Sequence, residues 1–231
     1  MKKLIYYSCM LGLAIVLLQA CKKDNYIVGG SLHNPKYNGT TYDYLHTNHL
    51  FDTLLIVIDQ LGLKDEINAN NTTFFAPTNY CFYNYVKKIV QARKRIAQND
   101  ENLVVNFSDI DLNTLRDSIR AYIFPGRIVL DSLDKYGKMI TAMDGEQRLI
   151  RAIEDPSVNV GGTNFTDLPK YMFLTKIYGT RDPDNLDSLK LIPDSQKDET
   201  SIMQTTGIIT NNGVLHVLSN YHILTFAKIP Q

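Results

Sequence analysis

The sequence predicts an α+β fold, a single domain in which helices lead and an antiparallel sheet follows. Three observations lead there. Between Leu50 and Tyr122 apolar residues recur at helical spacing in three stretches. From Met139 onward, short strand-like runs are joined by tight-turn sequences such as Asp144-Gly145 and Asn212-Gly213. Strands and helices do not alternate along the chain, which argues against a doubly wound sheet. A hydrophobic content of 44% and an aromatic content of 10% belong to a chain that buries a core, not to a disordered one.

The first twenty residues are set apart from that domain. Met1-Lys2-Lys3 is a basic start, Leu4 to Leu18 is an apolar run, and Leu18-Gln19-Ala20-Cys21 reads as a bacterial lipobox. The run is too short and too early for a mature spanning helix. Residues 1–20 are therefore expected to be a lipoprotein signal peptide, and Cys21 to carry a thioether-linked diacylglycerol and an amide-linked acyl chain. Two or more acyl chains are enough for stable anchoring. Residues 21–40 are polar and turn-rich, with Gly29-Gly30, Asn34-Pro35 and Asn38-Gly39, and are expected to form a flexible tether. The domain is expected over residues 41–228. Cys9 leaves with the signal and Cys21 is lipidated, so only Cys81 remains and no disulfide framework is available.

Within the domain, Leu50, Phe51, Leu54, Leu55, Ile58 and Leu61 follow a helical stripe, and Gly62 stands where a C-cap glycine belongs. Thr72-Thr73-Phe74-Phe75-Ala76 has the composition of a buried strand that Pro77 stops. Thr78 offers an N-cap hydroxyl to a second helix bearing Phe82, Tyr85, Val86, Ile89 and Val90. A third stripe, Leu112 to Tyr122, ends at Phe124-Pro125-Gly126, after which a short strand is predicted over Arg127 to Leu130. Met139 to Met143 and Gln147 to Ile153 form a predicted hairpin. Further strands are predicted at Tyr171 to Tyr178, Ile202 to Ile209 and Val214 to Leu218. Gly179 to Thr200 reads as a long exposed loop with one helical turn at Leu186 to Leu191.

Thr73-Phe74-Phe75-Ala76-Pro77-Thr78-Asn79, followed by Phe82, resembles the first signature of the fasciclin (FAS1) domain family. Asn212-Gly213-Val214-Leu215-His216-Val217-Leu218 resembles the second. The blocks fall in the family's order, and Tyr122 to Arg127 resembles the segment between the family's helices and its sheet. The resemblance implies a compact antiparallel β-wedge flanked by helices, here with insertions near Ala92 to Ser108 and Gly161 to Thr200. In animal matrix members a Tyr-His pair before the Pro-Gly turn is tied to integrin recognition. This chain has Ala121-Tyr122 there, so integrin binding is not expected. Ser219 replaces an Asp that often follows the second block.

No Gly-rich phosphate loop, Gly-x-Ser-x-Gly elbow, His-Glu-x-x-His or Cys-x-x-Cys occurs, and no enzyme, cofactor or metal is expected. His46 and His49, three apart, read as solvated helix residues or as half of a metal site. Cys81 reads as a small buried hydrophobe, or as a thiol acidified by a helix start. The signature residues Thr73, Phe75, Ala76, Pro77, Thr78, Asn79, Phe82, Asn212, Gly213, His216 and Val217 are expected to act mainly in structure. Asp187-Ser188-Leu189 resembles the O-glycosylation acceptor of Bacteroidota envelope proteins, which marks Ser188. Cys21-Lys22-Lys23-Asp24 resembles lipoproteins of the same lineage.

Lys plus Arg and Asp plus Glu both number 24, so no net field draws nucleic acid, and no nucleic-acid partner is expected. The expected protein is an outer-membrane, lipid-anchored module at the cell surface that binds an unidentified protein or glycan. The competing expectation is an accessory or scaffold subunit of an outer-membrane nutrient-uptake complex, with the domain facing the periplasm.

Overall fold

The computed structural model describes residues 35–155 and 168–230. The calls on residues 1–20 and on Cys21 lie outside them. Pro35 to Thr40, placed in the tether by sequence, are fixed to the domain. The Ile209 N–H donates to Pro35 O at 2.6 Å, and the Tyr37 N–H donates to Ile209 O at 2.8 Å. Polarity and turn residues had suggested a free leash, but the open edge of a strand supplies backbone partners whatever the side chains are.

Helix α1 (Thr41–Leu45) is started by Thr40, whose hydroxyl accepts from the Asp43 N–H while Asp43 accepts from the Thr40 N–H. Helix α2 (Asp52–Leu61) buries Leu54, Leu55, Val57, Ile58 and Leu61 and ends at Gly62, which is left-handed at φ 63°. The Leu63 N–H closes the end by reaching back to Ile58 O. Helix α3 (Lys64–Ile67) leads to strand β1 (Thr72–Ala76), all five residues of which are buried.

After Pro77, helix α4 (Asn79–Asn84) runs without a break through a π-helical segment (Tyr85–Gln91) into α5 (Ala92–Gln98). On this helix Lys87 donates to Val105 O, Gln91 accepts from the Val105 N–H, and Arg95 donates to Leu103 O. One helix face thus clips the extended chain that returns beside it. Helix α6 (Arg116–Arg120) is tied to α3 by the two-pronged pair of Arg120 with Glu66, at 2.8 and 2.5 Å.

Seven strands make one sheet in the order β2-β1-β7-β6-β5-β4-β3, formed by β2 (Ile123–Pro125), β3 (Lys138–Thr141), β4 (Gln147–Glu154), β5 (Lys170–Lys176), β6 (Glu199–Ile209) and β7 (Gly213–Leu218) with β1. The Met143 N–H donates to Ile123 O, so the β3–β4 turn meets β2 and the sheet nearly closes into a barrel.

Two expectations are corrected. The sheet is mixed, because β1 and β7 pair in parallel, from Thr72 opposite Gly213 to Ala76 opposite Val217. Both strands are buried along their whole length, as central parallel strands are, and no local alternation signals strand direction. The strand predicted at Arg127 to Leu130 lies instead before the Pro-Gly turn, at Ile123–Pro125. Gly126, at φ 84°, turns the chain away, and the Ile128 N–H is satisfied by the Thr73 hydroxyl rather than by a ladder.

Candidate functional site

The first signature block joins the sheet to α2 and α4. Thr73 Oγ1 donates to Gly126 O and accepts from the Ile128 N–H. Phe75 lies between Phe124, edge-on at 5.4 Å, and His216, stacked at 5.0 Å. Ala76, Pro77 and Phe82 are buried. Thr78 stands at the N-cap of α4 in a capping box with Cys81, whose sulfur accepts from the Thr78 N–H, and its hydroxyl also donates to Asn220 Oδ1 at 2.9 Å. Asn79 caps a different helix: its Oδ1 accepts from the Thr53 N–H in the first turn of α2, and its Nδ2 donates to His49 O.

The second block is equally committed. Asn212 Oδ1 accepts from the Thr41 N–H at 2.8 Å, and Asn212 Nδ2 donates to Ile67 O. A methyl group at Gly213 would lie 2.2 Å from Thr72 O of the parallel neighbour, so only glycine fits. Val217 is buried in β7. His216 is fully buried, accepts at Nδ1 from the Gly207 N–H and donates from Nε2 to Ile128 O. Burial pushes its pKa down to about 4. These residues are spent on the core and its seams.

A second buried histidine carried no sequence signal. Tyr122 takes the Thr225 N–H on its hydroxyl and lies 2.6 Å from His222 Nε2, so the phenol donates to an unprotonated ring nitrogen. Burial pushes His222 down to about 3 and Tyr122 well above its ordinary range. Phe226 stacks on Tyr122 and lies under the guanidinium of Arg148, which is 2% exposed and paired with Asp144 at 2.7 Å. Cys81 is buried, and burial raises its thiol pKa, so the helix start does not make it a reactive thiolate. His46 and His49 are exposed, and His49 meets only Asp52. Among the described residues no three metal-ligating side chains gather.

Solvent-facing chemistry collects elsewhere, on the outer face of the sheet. Leu149, Arg151 and Ile153 share one face of β4 by their spacing of two. Cross-strand pairing continues the Leu149 row through Thr175 to Thr200. Over this face lies the chain between β5 and β6, including helix α7 (Leu186–Lys190), and it leaves a cleft of about 620 Å3. Its neck is locked reciprocally: the Asp182 N–H donates to Asp198, and the Asp198 N–H donates to Asp182, both at 2.8 Å. Across the cleft Arg151 donates to Asp184 Oδ1 at 2.7 Å, and Arg181 approaches Asp184 Oδ2 at 3.5 Å. The Arg151 guanidinium holds the Asp184 carboxyl below the usual carboxylate range. At the rim Tyr136 is 66% exposed, and its carbonyl accepts from Arg181. Ser188 is exposed on α7 and belongs to the same covering segment. A cation between two apolar neighbours on one strand face, Leu149-Arg151-Ile153, was the signal available in the sequence for this cleft.

A nearly closed seven-stranded mixed sheet with helices packed on it and its seams held by two sequence blocks defines a domain of α+β class. A fasciclin domain model matches residues 49–169, and the chain belongs to the fasciclin domain family. That span includes the first signature block; the second lies beyond it, past the covering segment between β5 and β6. Among solved structures, a FAS1 domain pair from the insect cell adhesion molecule fasciclin I is similar at 12% identity and a TM-score of 0.43. The alignment covers 78% of this chain and 46% of that one, so this chain spans less than half of the pair. No curated protein matches the chain.

Proposed function

We propose that the protein is a lipid-anchored module of the outer membrane, at the cell surface, whose fasciclin domain binds a protein or glycan without catalysing a reaction. The anchor rests on the lipobox at Cys21 and the basic, apolar start before it. Support for binding comes from the cleft between the outer sheet face and the β5–β6 segment. It has the volume of a ligand site, a floor of Leu149 and Ile153 beside Thr175 and Thr200, and a few charged groups at fixed positions. The family signatures do not compete for that role, since their side chains are occupied in the core. Membership of the fasciclin domain family agrees with a non-catalytic module.

The test uses cells expressing the full chain, retained on surfaces coated with envelope proteins or glycans. Retention should fall at least tenfold with Arg151→Gln, and Cys21→Ser should release the protein from the membrane fraction. Unchanged retention with Arg151→Gln would remove the cleft from the reading. A protease-sensitive carboxyl-terminal tag on intact cells is the expected surface result; protection until the outer membrane is permeabilised would favour the periplasmic scaffold.

A further inference from the structure

We propose that the cleft binds the carboxylate of an acidic saccharide, a uronate, and that Asp184 occupies the place of that carboxylate when no ligand is bound. The inference rests on the reading of the cleft as the ligand site and adds the chemistry of what enters it.

The charged groups are unevenly committed. Asp182 and Asp198 are consumed by backbone amides at the neck. Lys135 lies over the Tyr136 ring at 5.2 Å and has no carboxylate partner among the described residues. Asp184 alone bridges Arg151 and Arg181, one oxygen to each guanidinium. One carboxylate held between two guanidiniums is how arginines capture a carboxylate ligand. The occupant is also poorly held, because the Asp184 side chain is 68% exposed and solvent screens such a pair strongly. Arg151 is only 19% exposed, and its Nε is buried with no hydrogen-bond partner among the described residues.

The surroundings favour a sugar over a peptide. Under the cleft Leu149 and Thr175 are each paired on both sides, and beyond Ile150 the β4 edge is met by Asp134 O, which accepts from the Ala152 N–H, so little free edge remains to template an added peptide strand. Recognition there must run through side chains. Thr175 and Thr200 present a hydroxyl pair, 2.9 Å apart, on the floor. Tyr136 presents an exposed ring at the rim, against which the C–H face of a pyranose can lie. A polyhydroxylated ring bearing one carboxylate matches that set.

Calorimetric titration of the full mature chain with trimers of galacturonate, glucuronate and mannuronate tests this, each beside its methyl ester and beside triglutamate. At least one acid should bind, its ester at least tenfold more weakly. Arg181→Gln, at a partly exposed position that leaves folding intact, should weaken the acid at least tenfold without affecting the ester. Asp184→Asn should tighten the acid several-fold, since the internal competitor is gone. Equal binding of acid and ester would overturn the carboxylate inference while the cleft remained a ligand site. Binding of triglutamate alone, or of no uronate, would overturn the saccharide. Unchanged or weaker binding by Asp184→Asn would overturn the role of Asp184. The retention assay with Arg151→Gln fails separately, and only if the cleft binds nothing.

Discussion

Acid should destabilise this domain well above the range where carboxylates titrate, because two histidines are buried without charge. His216 uses Nδ1 to accept from the Gly207 N–H, and His222 uses Nε2 to accept from Tyr122. A proton on either nitrogen would turn an acceptor into a donor facing a donor, in a site shut off from water. The native pKa values accordingly sit at about 4 and about 3, against about 6.5 in an unfolded chain. Between those limits the unfolded state binds protons that the native state refuses, so stability rises with pH and is complete above about pH 7.5. From pH 8 to pH 5 each histidine removes about 2 kcal/mol, and the pair about 4 kcal/mol. The figure is insensitive to the native values as long as both lie at or below about 4. Glu66, Glu146 and Asp184 have lowered native pKa values, so their contributions are lost only as pH falls below the ordinary carboxylate range, outside this window. Urea unfolding followed by far-ultraviolet circular dichroism at pH 8, 7, 6 and 5 reads the effect. With a urea slope of about 2 kcal/mol/M, the midpoint should fall by about 2 M. His222→Gln, whose amide oxygen can accept from Tyr122, should halve the slope of stability against pH. A stability that changes by less than about 1 kcal/mol between pH 8 and pH 5 would refute the neutral, buried assignment of both rings.

Other expectations concern the seams. Gly213→Ala forces a methyl group against Thr72 O and should cost about 2–3 kcal/mol, lowering the Tm by about 5–10 °C; an unchanged Tm would show that β1 and β7 separate freely. Asn79→Ala removes the bonds to Thr53 N and His49 O and should cost about 1–2 kcal/mol with cleft binding intact. Loss of binding at full stability would reverse the structural role assigned to it. Asp198→Ala opens the neck of the covering segment and should speed trypsin cleavage after Lys190 several-fold, read by mass spectrometry of the fragments; an unchanged rate would mean that the reciprocal pair does not hold the segment.

Much of the architecture was legible because it follows from local rules. The stripe from Leu50 to Leu61 with Gly62 behind it is helix α2 with its left-handed cap, and Asp144-Gly145 is the turn of the β3–β4 hairpin, with Gly145 at φ 87°. What escaped was set by distant partners. The parallel union of β1 and β7 joins segments about 140 residues apart, and neither carries a mark of strand direction. The strand before Pro125 is three residues long and pairs only with β1, so its pattern is too brief to read. Pro35 to Thr40 look like a linker in composition and are held by backbone bonds to Ile209 and Asn211 together with the Tyr37 ring edge-on to Tyr44.

The site divides in the same way, and the division bears out the mainly structural role expected of the signature residues. A motif such as Thr73 to Asn79 or Asn212 to Val217 records residues whose geometry the fold cannot vary: a glycine against a neighbouring carbonyl, an asparagine bridging two helices, a histidine between two backbone groups. Residues so constrained have no free hydrogen-bonding capacity to offer a ligand. The less committed groups, Arg151 and Arg181 on a mostly exposed Asp184 and Lys135 with no carboxylate partner among the described residues, lie where the segment between β5 and β6 crosses a sheet face. Such a segment is fastened at its neck by the Asp182–Asp198 clip and along its length by polar bonds to Arg151, Tyr136 O and Lys228, not by residues of β1 or β7. Under the proposed function, ligand choice falls to the covering segment and the strand face beneath it, while the signatures carry the frame that holds that face still.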